Sequence, residues 1–219
     1  KLVKTGPGEV RLWNAKNTYG GTLVHGGTLT AEFVTGALGG GPVTVEDGTI
    51  FRLDAVKGAN PLTFNGGAFD GSGQWNADIQ LNRTVLFSGS LTLNNQQGGI
   101  HGPGGLVMAG AFSQWGNYLG QGMLLLAGNN RYAGTTEVRL GTLVLAKSKS
   151  LYGGDTARWT AENLCVRKTA TLVLKCGGPE EFSEEQVNLL VTRLRDARGA
   201  SGLRGAGDPE VHARVIREA

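Results

Sequence analysis

Asp47, Asp54, Asp70 and Asp78 are the residues of this chain best suited to acid–base work or to holding a hard cation. Either task needs carboxylates in company, as a donor beside an acceptor or as several oxygens around one ion. No DxD or DxDxG cluster appears, nor the Gly-Asp nonapeptides of Ca2+-binding rolls. Stacked coils could still gather such acids in space, but scattered, solvated acids are the plainer reading. His25, His101 and His212 stand alone, with no Ser nucleophile motif and no Cys beside them, so a catalytic triad has no support. Cys165 and Cys176 are too widely spaced for a CxxC metal or redox motif and fit either two buried thiols or one structural disulfide. The stretches GPGEV and GPGGLV suggest phosphate loops, which require a helix after the glycines. Strand-like alternation follows both, and no GKS or GKT occurs, so they read as turns. Four tryptophans remain: Trp13, Trp75, Trp115 and Trp159. Trp75 in FDGSGQWNAD and Trp115 in FSQWGNY lie among Asn, Gln and Asp, a mixture that suits stacking on a sugar ring. The alternative is that each plugs a loop against a core.

The elements that must position these residues are short. Glycine makes up 37 of 219 residues, about 17%, against a usual share of about 7%. No Gly-X-Y period is present, and 40% hydrophobic residues are too many for simple disorder. Short strands joined by glycine turns are the reading left. The net charge of +3 is spread without a basic run, which argues against nucleic acid as a partner. No apolar stretch approaches the roughly 18 to 20 residues of a membrane span, so direct membrane insertion is not expected. The chain opens at Lys1 in mid-phrase, as a fragment or mature segment would.

Residues 1–178 form one compositional block. EVRLW, PVTVED, TVLFSGSLTL and GTLVLA alternate apolar with polar, so every second side chain shares a face. Each strand buries only two or three side chains, and its face must stack on similar faces. Residues 179–219 differ: from Glu180 onward they hold eight acids and six arginines. The spacing of Val187, Leu190, Val191 and Leu194 predicts a helix over about 184–198. Ser183 and Gln186 form a capping box, and Phe182 and Val187 a hydrophobic staple. Acids crowd the first turn and arginines the last, and Gly199 supplies a stop. This helix reads as a cap or lid, because its apolar stripe needs burial. A second, shorter helix is expected from Asp208-Pro209.

One phrase occurs twice. NTYGGTLVHGGTL begins at Asn17, and NRYAGTTEVRLGTL begins at Asn130. Alignment sets Asn17, Tyr19, Gly21 and Thr22 against Asn130, Tyr132, Gly134 and Thr135. It then sets Val24 against Val138, and Gly27 and Leu29 against Gly141 and Leu143. Glycine and asparagine tolerate left-handed corners, Val and Leu fill a core, and Tyr stacks its ring while its hydroxyl stays polar. This is the chemistry of a stacking coil.

Across residues 2–29, LVKTGPGEVRLWNAKNTYGGTLVHGGTL resembles the passenger-associated transport repeat, also called the autotransporter-associated β-strand repeat. The segment at 123–145 resembles it more loosely. The resemblance implies an all-β fold, a right-handed parallel β-helix with a short C-terminal helical segment. It also implies an extracellular or cell-surface setting in a passenger of a Gram-negative bacterium, whose parent commonly ends in an outer-membrane barrel. The expected role is then a rigid spacer or adhesive surface, not an enzyme, and without a cofactor. Expected partners are adjacent repeats of the same polypeptide, further copies end to end, and host or environmental glycans or proteins. A second reading is a carbohydrate-binding or polysaccharide-cleaving β-helix, which needs acids or tryptophans gathered on one lateral face; a third is a subunit of an extracellular fibre.

Overall fold

The computed structural model describes residues 1–95, 98–111, 122–200 and 214–217. Short strands with one apolar face cannot be stable singly, and here they wind into about seven stacked turns of a parallel β-solenoid. The first turn holds β1 (Leu2–Lys4) and β2 (Glu9–Leu12), and the second β3 (Thr22–Val24) and β4 (Thr28–Glu32). Next come β5 (Val43–Val45) with β6 (Ile50–Gly58), and β7 (Leu62–Phe64) with β8 (Ala68–Trp75). From there the second side of each turn divides in two. The fifth turn is β9 (Ile79–Leu81), β10 (Val85–Phe87) and β11 (Ser90–Leu93). The sixth is β12 (Ile100–His101), β13 (Leu106–Ala109) and β14 (Met123–Leu126). In the seventh, one long strand, β15 (Thr136–Leu145), covers both halves. Three 3-10 turns at 148–150, 152–154 and 156–158 lead to β16 (Leu164–Val166) and β17 (Ala170–Cys176). Helix α1 (Glu184–Ala200) and β18 (Arg214–Arg217), which pairs with β17, complete the described chain.

Register converts period-two alternation into interior rows. In the first sheet Leu2, Thr22, Val43, Leu62, Ile79 and Ile100 stand in line, and so do Lys4, Val24, Val45, Phe64 and Leu81. In the second, the row runs Val10, Leu29, Phe51, Phe69, Phe87, Met108, Val138, Val166. The middle turns carry rings instead of aliphatics. Phe69 lies 5.4 Å from Phe51, 5.6 Å from Phe64, 6.0 Å from Phe87 and 5.8 Å from Trp75 between ring centroids. All five are fully buried, and burial of side chains this size contributes roughly 1.5–3 kcal/mol each. Lys4 occupies an aliphatic row at the first turn without leaving its charge bare: Nζ donates to the carbonyls of Thr5, Gly6 and Gly26 at 2.7–2.9 Å.

The bend that divides the second sheet requires positive φ. Gly71 (+99°), Gly89 (+89°), Gly110 (+82°) and Gly141 (+85°) provide it in later turns. Phe33 (+55°) and Ala55 (+54°) hold positive φ in earlier ones.

Helix α1 starts where the sequence places it. Ser183 N–H donates to Gln186 Oε1 at 3.0 Å and Gln186 N–H to Ser183 Oγ at 3.3 Å, a reciprocal capping box. The helix runs through Gly199 to Ala200, so that glycine does not end it. Val187, Leu190 and Leu194 are buried and continuous with the solenoid core, and the Phe182 ring packs 5.5 Å from Trp159. The start of the helix expected from Asp208-Pro209 lies outside the described residues, and Arg214–Arg217 is a strand.

Candidate functional site

The repeated phrase does its work at corners. Asn17 Nδ2 donates to the Ala37 carbonyl at 2.8 Å, and Asn130 Nδ2 to the Ser150 carbonyl at 2.9 Å, each reaching 20 residues onward to the next turn. Asn130 is fully buried and its Oδ1 also accepts from Ile100 N–H at 2.9 Å. The Tyr132 hydroxyl meets Thr136 Oγ1 at 2.6 Å, and the Tyr152 hydroxyl lies 2.9 Å from the same oxygen while donating its proton to the Asn163 carbonyl at 2.5 Å. The Arg158 guanidinium lies 4.1 Å over the Tyr152 ring and donates to the Tyr132 carbonyl at 2.9 Å. Burial pushes both phenols above their ordinary pKa, Tyr132 most strongly. These hydroxyls remain neutral hydrogen-bonding groups that tie the repeat to the closing turns. Asn130→Ala leaves two buried backbone groups unpaired and is expected to cost about 2–3 kcal/mol, with half-buried Asn17→Ala nearer 1. Urea unfolding of the two variants measures the difference.

The two copies do not occupy one phase of the coil. Thr22–Val24 joins the first sheet, whereas Thr136–Val138 joins the second against Leu106–Met108. Leu29 therefore shares its row with Val138 and not with Leu143, its match in the sequence alignment. The first-sheet place in the seventh turn is taken by 130–133, where Arg131 N–H donates to the Ile100 carbonyl and Ala133 N–H to that of Gly102. The glycines keep a common task. A β-carbon at Gly27 would overlap the Gly8 carbonyl, one at Gly134 the Gly105 backbone and one at Gly141 the Gly122 carbonyl.

A polar ladder on the outward face of the second sheet was not legible as a group in the sequence. Thr30 Oγ1 donates to Glu9 Oε1 at 2.6 Å. Arg11 pairs with Glu32 at 3.0 Å and Glu9 at 3.3 Å, Arg52 with Asp70 at 2.7 Å and Glu9 at 3.5 Å, and Ser88 donates to Asp70 at 2.5 Å. Glu32, Asp70, Thr30 and Ser88 are buried. Their spacing is simply one turn of chain, which differs from turn to turn and so leaves no fixed period to read. Each carboxylate is matched by a cation, so the arrangement fastens turns to each other. The Thr30 hydroxyl, with Arg11 and Arg52, holds the Glu9 carboxyl below its ordinary value. Burial works to raise Glu137, but hydrogen bonds from Arg167 and Arg139 outweigh it, and that carboxyl too titrates low. Depressed carboxylates contribute stability that is present above the unfolded pKa and lost as pH falls through the folded one. The urea midpoint is therefore expected to hold from pH 7 to about 5 and to fall below about 4. Glu9→Gln with Glu137→Gln should flatten that limb, and a decline beginning above pH 6 would contradict the assignment.

The aspartates do not converge on one groove. Asp47 is a corner residue paired with exposed Arg83, and Asp78 lies at the turn into the first sheet beside Gly98. Asp70 is in the ladder, and Asp54 follows on the neighbouring strand in register with Ser72. Of the two readings the sequence leaves for Trp75, glycan contact or core plug, the structure has the second: the ring is fully buried and edge-on to Phe51 and Phe69. Gly58 makes its room, since a β-carbon there would overlap the indole. Trp115 lies outside the described residues. Trp159 is buried with Nε1 donating to the Leu151 carbonyl at 3.3 Å, leaving Trp13 as the exposed one among the described tryptophans. Cys165 and Cys176 are free thiols and form no disulfide. Cys165 sits beside Glu137, and Cys176 two residues past the partner of Leu145, so the 10-residue length of β15 separates them. A disulfide needs Cα atoms within about 7 Å. His25 is exposed just after β3, and His101 is half-buried at the end of β12; His212 lies outside the described residues. Among the described residues, no three or more His, Cys, Asp or Glu are grouped so as to hold a metal ion. No described helix is long and apolar enough to cross a membrane.

Compared with known proteins, the chain matches the family model of the passenger-associated-transport-repeat at residues 2–31 and 118–145. Neither a curated protein nor a solved structure matches it.

Proposed function

We propose, from two passenger-associated transport repeats wound into one parallel solenoid, that this chain is a rigid segment of an autotransporter passenger displayed outside the cell. Its work is mechanical: it holds neighbouring parts of the passenger at a fixed distance and offers a lateral surface for contacts. The supporting observation is the stack of interior rows in both sheets, with every strand pairing parallel and the register shifting at Ala55 and between Met108 and Ala109. Such a rod bends only by opening a ladder of hydrogen bonds and its apolar rows together. Strands about 4.8 Å apart give about seven turns a length of roughly 35 Å. The buried carboxylates support this reading over a catalytic one, because each faces an arginine or hydroxyl that fastens it. Inserted between a surface anchor and a fluorescent reporter, the chain should move the reporter outward by roughly that length, read by energy transfer to a membrane dye. A reporter no farther out than in a direct fusion would sink the spacer reading. Protease accessibility of the displayed segment on whole cells tests the location.

A further inference from the structure

Two aromatic rings stand out of the rod at one corner: Trp13 is 73% exposed and Phe33 64%. Trp13 follows Leu12, whose partner is Ala31, and Phe33 comes two residues after Ala31. The rings thus belong to neighbouring turns, one residue out of step, on backbones about 4.8 Å apart. Phe33 is held there against its own preference. Its φ is +55°, and Val34 N–H closes on the Glu32 carbonyl at 2.7 Å, a three-residue turn with positive φ at its centre. Turns of that hand are rare and strained for a residue with a β-carbon. The next turn bends at Ala55 (+54°) and the later ones at glycine, so Phe33 is the one large side chain set at this second-sheet bend among the described residues. A water-facing ring on a strained backbone gains little from packing, and strain of this kind gathers at ligand contacts.

The surroundings narrow the ligand. Asp54 is in register with Glu32, with exposed Ser72 beside it. A cleft of about 250 Å³ begins immediately after Phe33 and is lined by Val34, Leu38 and Val56, with Thr35, Lys57 and Asn60 and a set of alanines and glycines. By register and sequence the two rings thus stand next to a carboxylate, hydroxyls and an amine, with Asp54 and Lys57 balancing in charge, while the Asn60 amide is held by the Gly39 and Gly41 carbonyls. We infer that this corner binds a neutral glycan, with the C–H faces of its sugars on Trp13 and Phe33 and its hydroxyls on Asp54, Thr35 and Lys57. The lining is mostly apolar with a few polar groups, which suits the C–H faces and hydroxyls of a sugar together; an apolar peptide would leave Thr35, Lys57 and Asp54 without partners, and a charged polymer would meet no net opposite charge from Asp54 and Lys57. The inference goes beyond the spacer reading and does not rest on it.

The test titrates the full chain separately with cellohexaose, chitohexaose and maltohexaose, followed by calorimetry and by NMR. Saturable binding of at least one is expected, about ten-fold weaker in Trp13→Ala and in Phe33→Gly. Phe33→Gly is the informative variant: glycine suits the left-handed φ, so its thermal midpoint should equal or exceed the parent's while binding falls. No saturable binding of any of the three sugars, or unchanged binding in both variants, overturns the inference.

Discussion

Phe69→Ala is expected to lower the unfolding free energy by about 4 kcal/mol. The ring lies at the centre of the aromatic cluster, between Phe51 and Phe87 in its row and against Phe64 and Trp75. The variant loses the transfer energy of a large side chain and leaves a void that four rings cannot fill without leaving their own contacts. The cavity also sits in the middle of a stack in which each turn touches only its neighbours, so the loss divides the rod into two weaker halves. Urea unfolding followed by tryptophan fluorescence and by circular dichroism measures it. A loss under 1 kcal/mol would mean the middle turns are not packed as described. Separation of the two probes would show that the halves unfold apart.

Gly89→Ala should be more damaging than its size suggests. Gly89 has φ +89°, and an added β-carbon would overlap the Gly71 carbonyl oxygen, a backbone atom with no freedom to turn aside. The variant combines left-handed strain with a forced separation of two turns, and a cost above about 3 kcal/mol is expected. Gly48→Ala provides the control. Its φ is +71°, with nothing within 4 Å of the added carbon, so strain alone should cost about 1–2 kcal/mol. Equal losses in the two variants would remove steric crowding from the explanation.

Local rules explain what the sequence makes legible. Stacked faces follow from strands too short to bury a face singly, their parallel winding was legible only through the resemblance of the repeated phrase, and the start of α1 follows from a capping box that forms as spelled by Ser183 and Gln186. What depends on the length of each turn is hidden. Trp75 sits among polar residues, yet shares parity with Phe69 along β8 and faces inward with it. The space it fills is left by Gly58, 17 positions earlier. The ladder of Glu9, Arg11, Arg52 and Asp70 is likewise invisible until register places its members side by side. The phrase at Asn130 looks like that at Asn17 but enters the coil at another phase, because the second sheet has widened by then.

In the sixth turn, Gly110 and Met123 both bind a single residue below: Gly89 N–H donates to the Gly110 carbonyl at 2.8 Å, and Met123 N–H to the Gly89 carbonyl at 2.9 Å. One peptide unit of the fifth turn therefore clamps two separate stretches of the sixth. Damage at Gly89 loosens both at once, so this residue is a keystone through which a fault in one coil passes to the next.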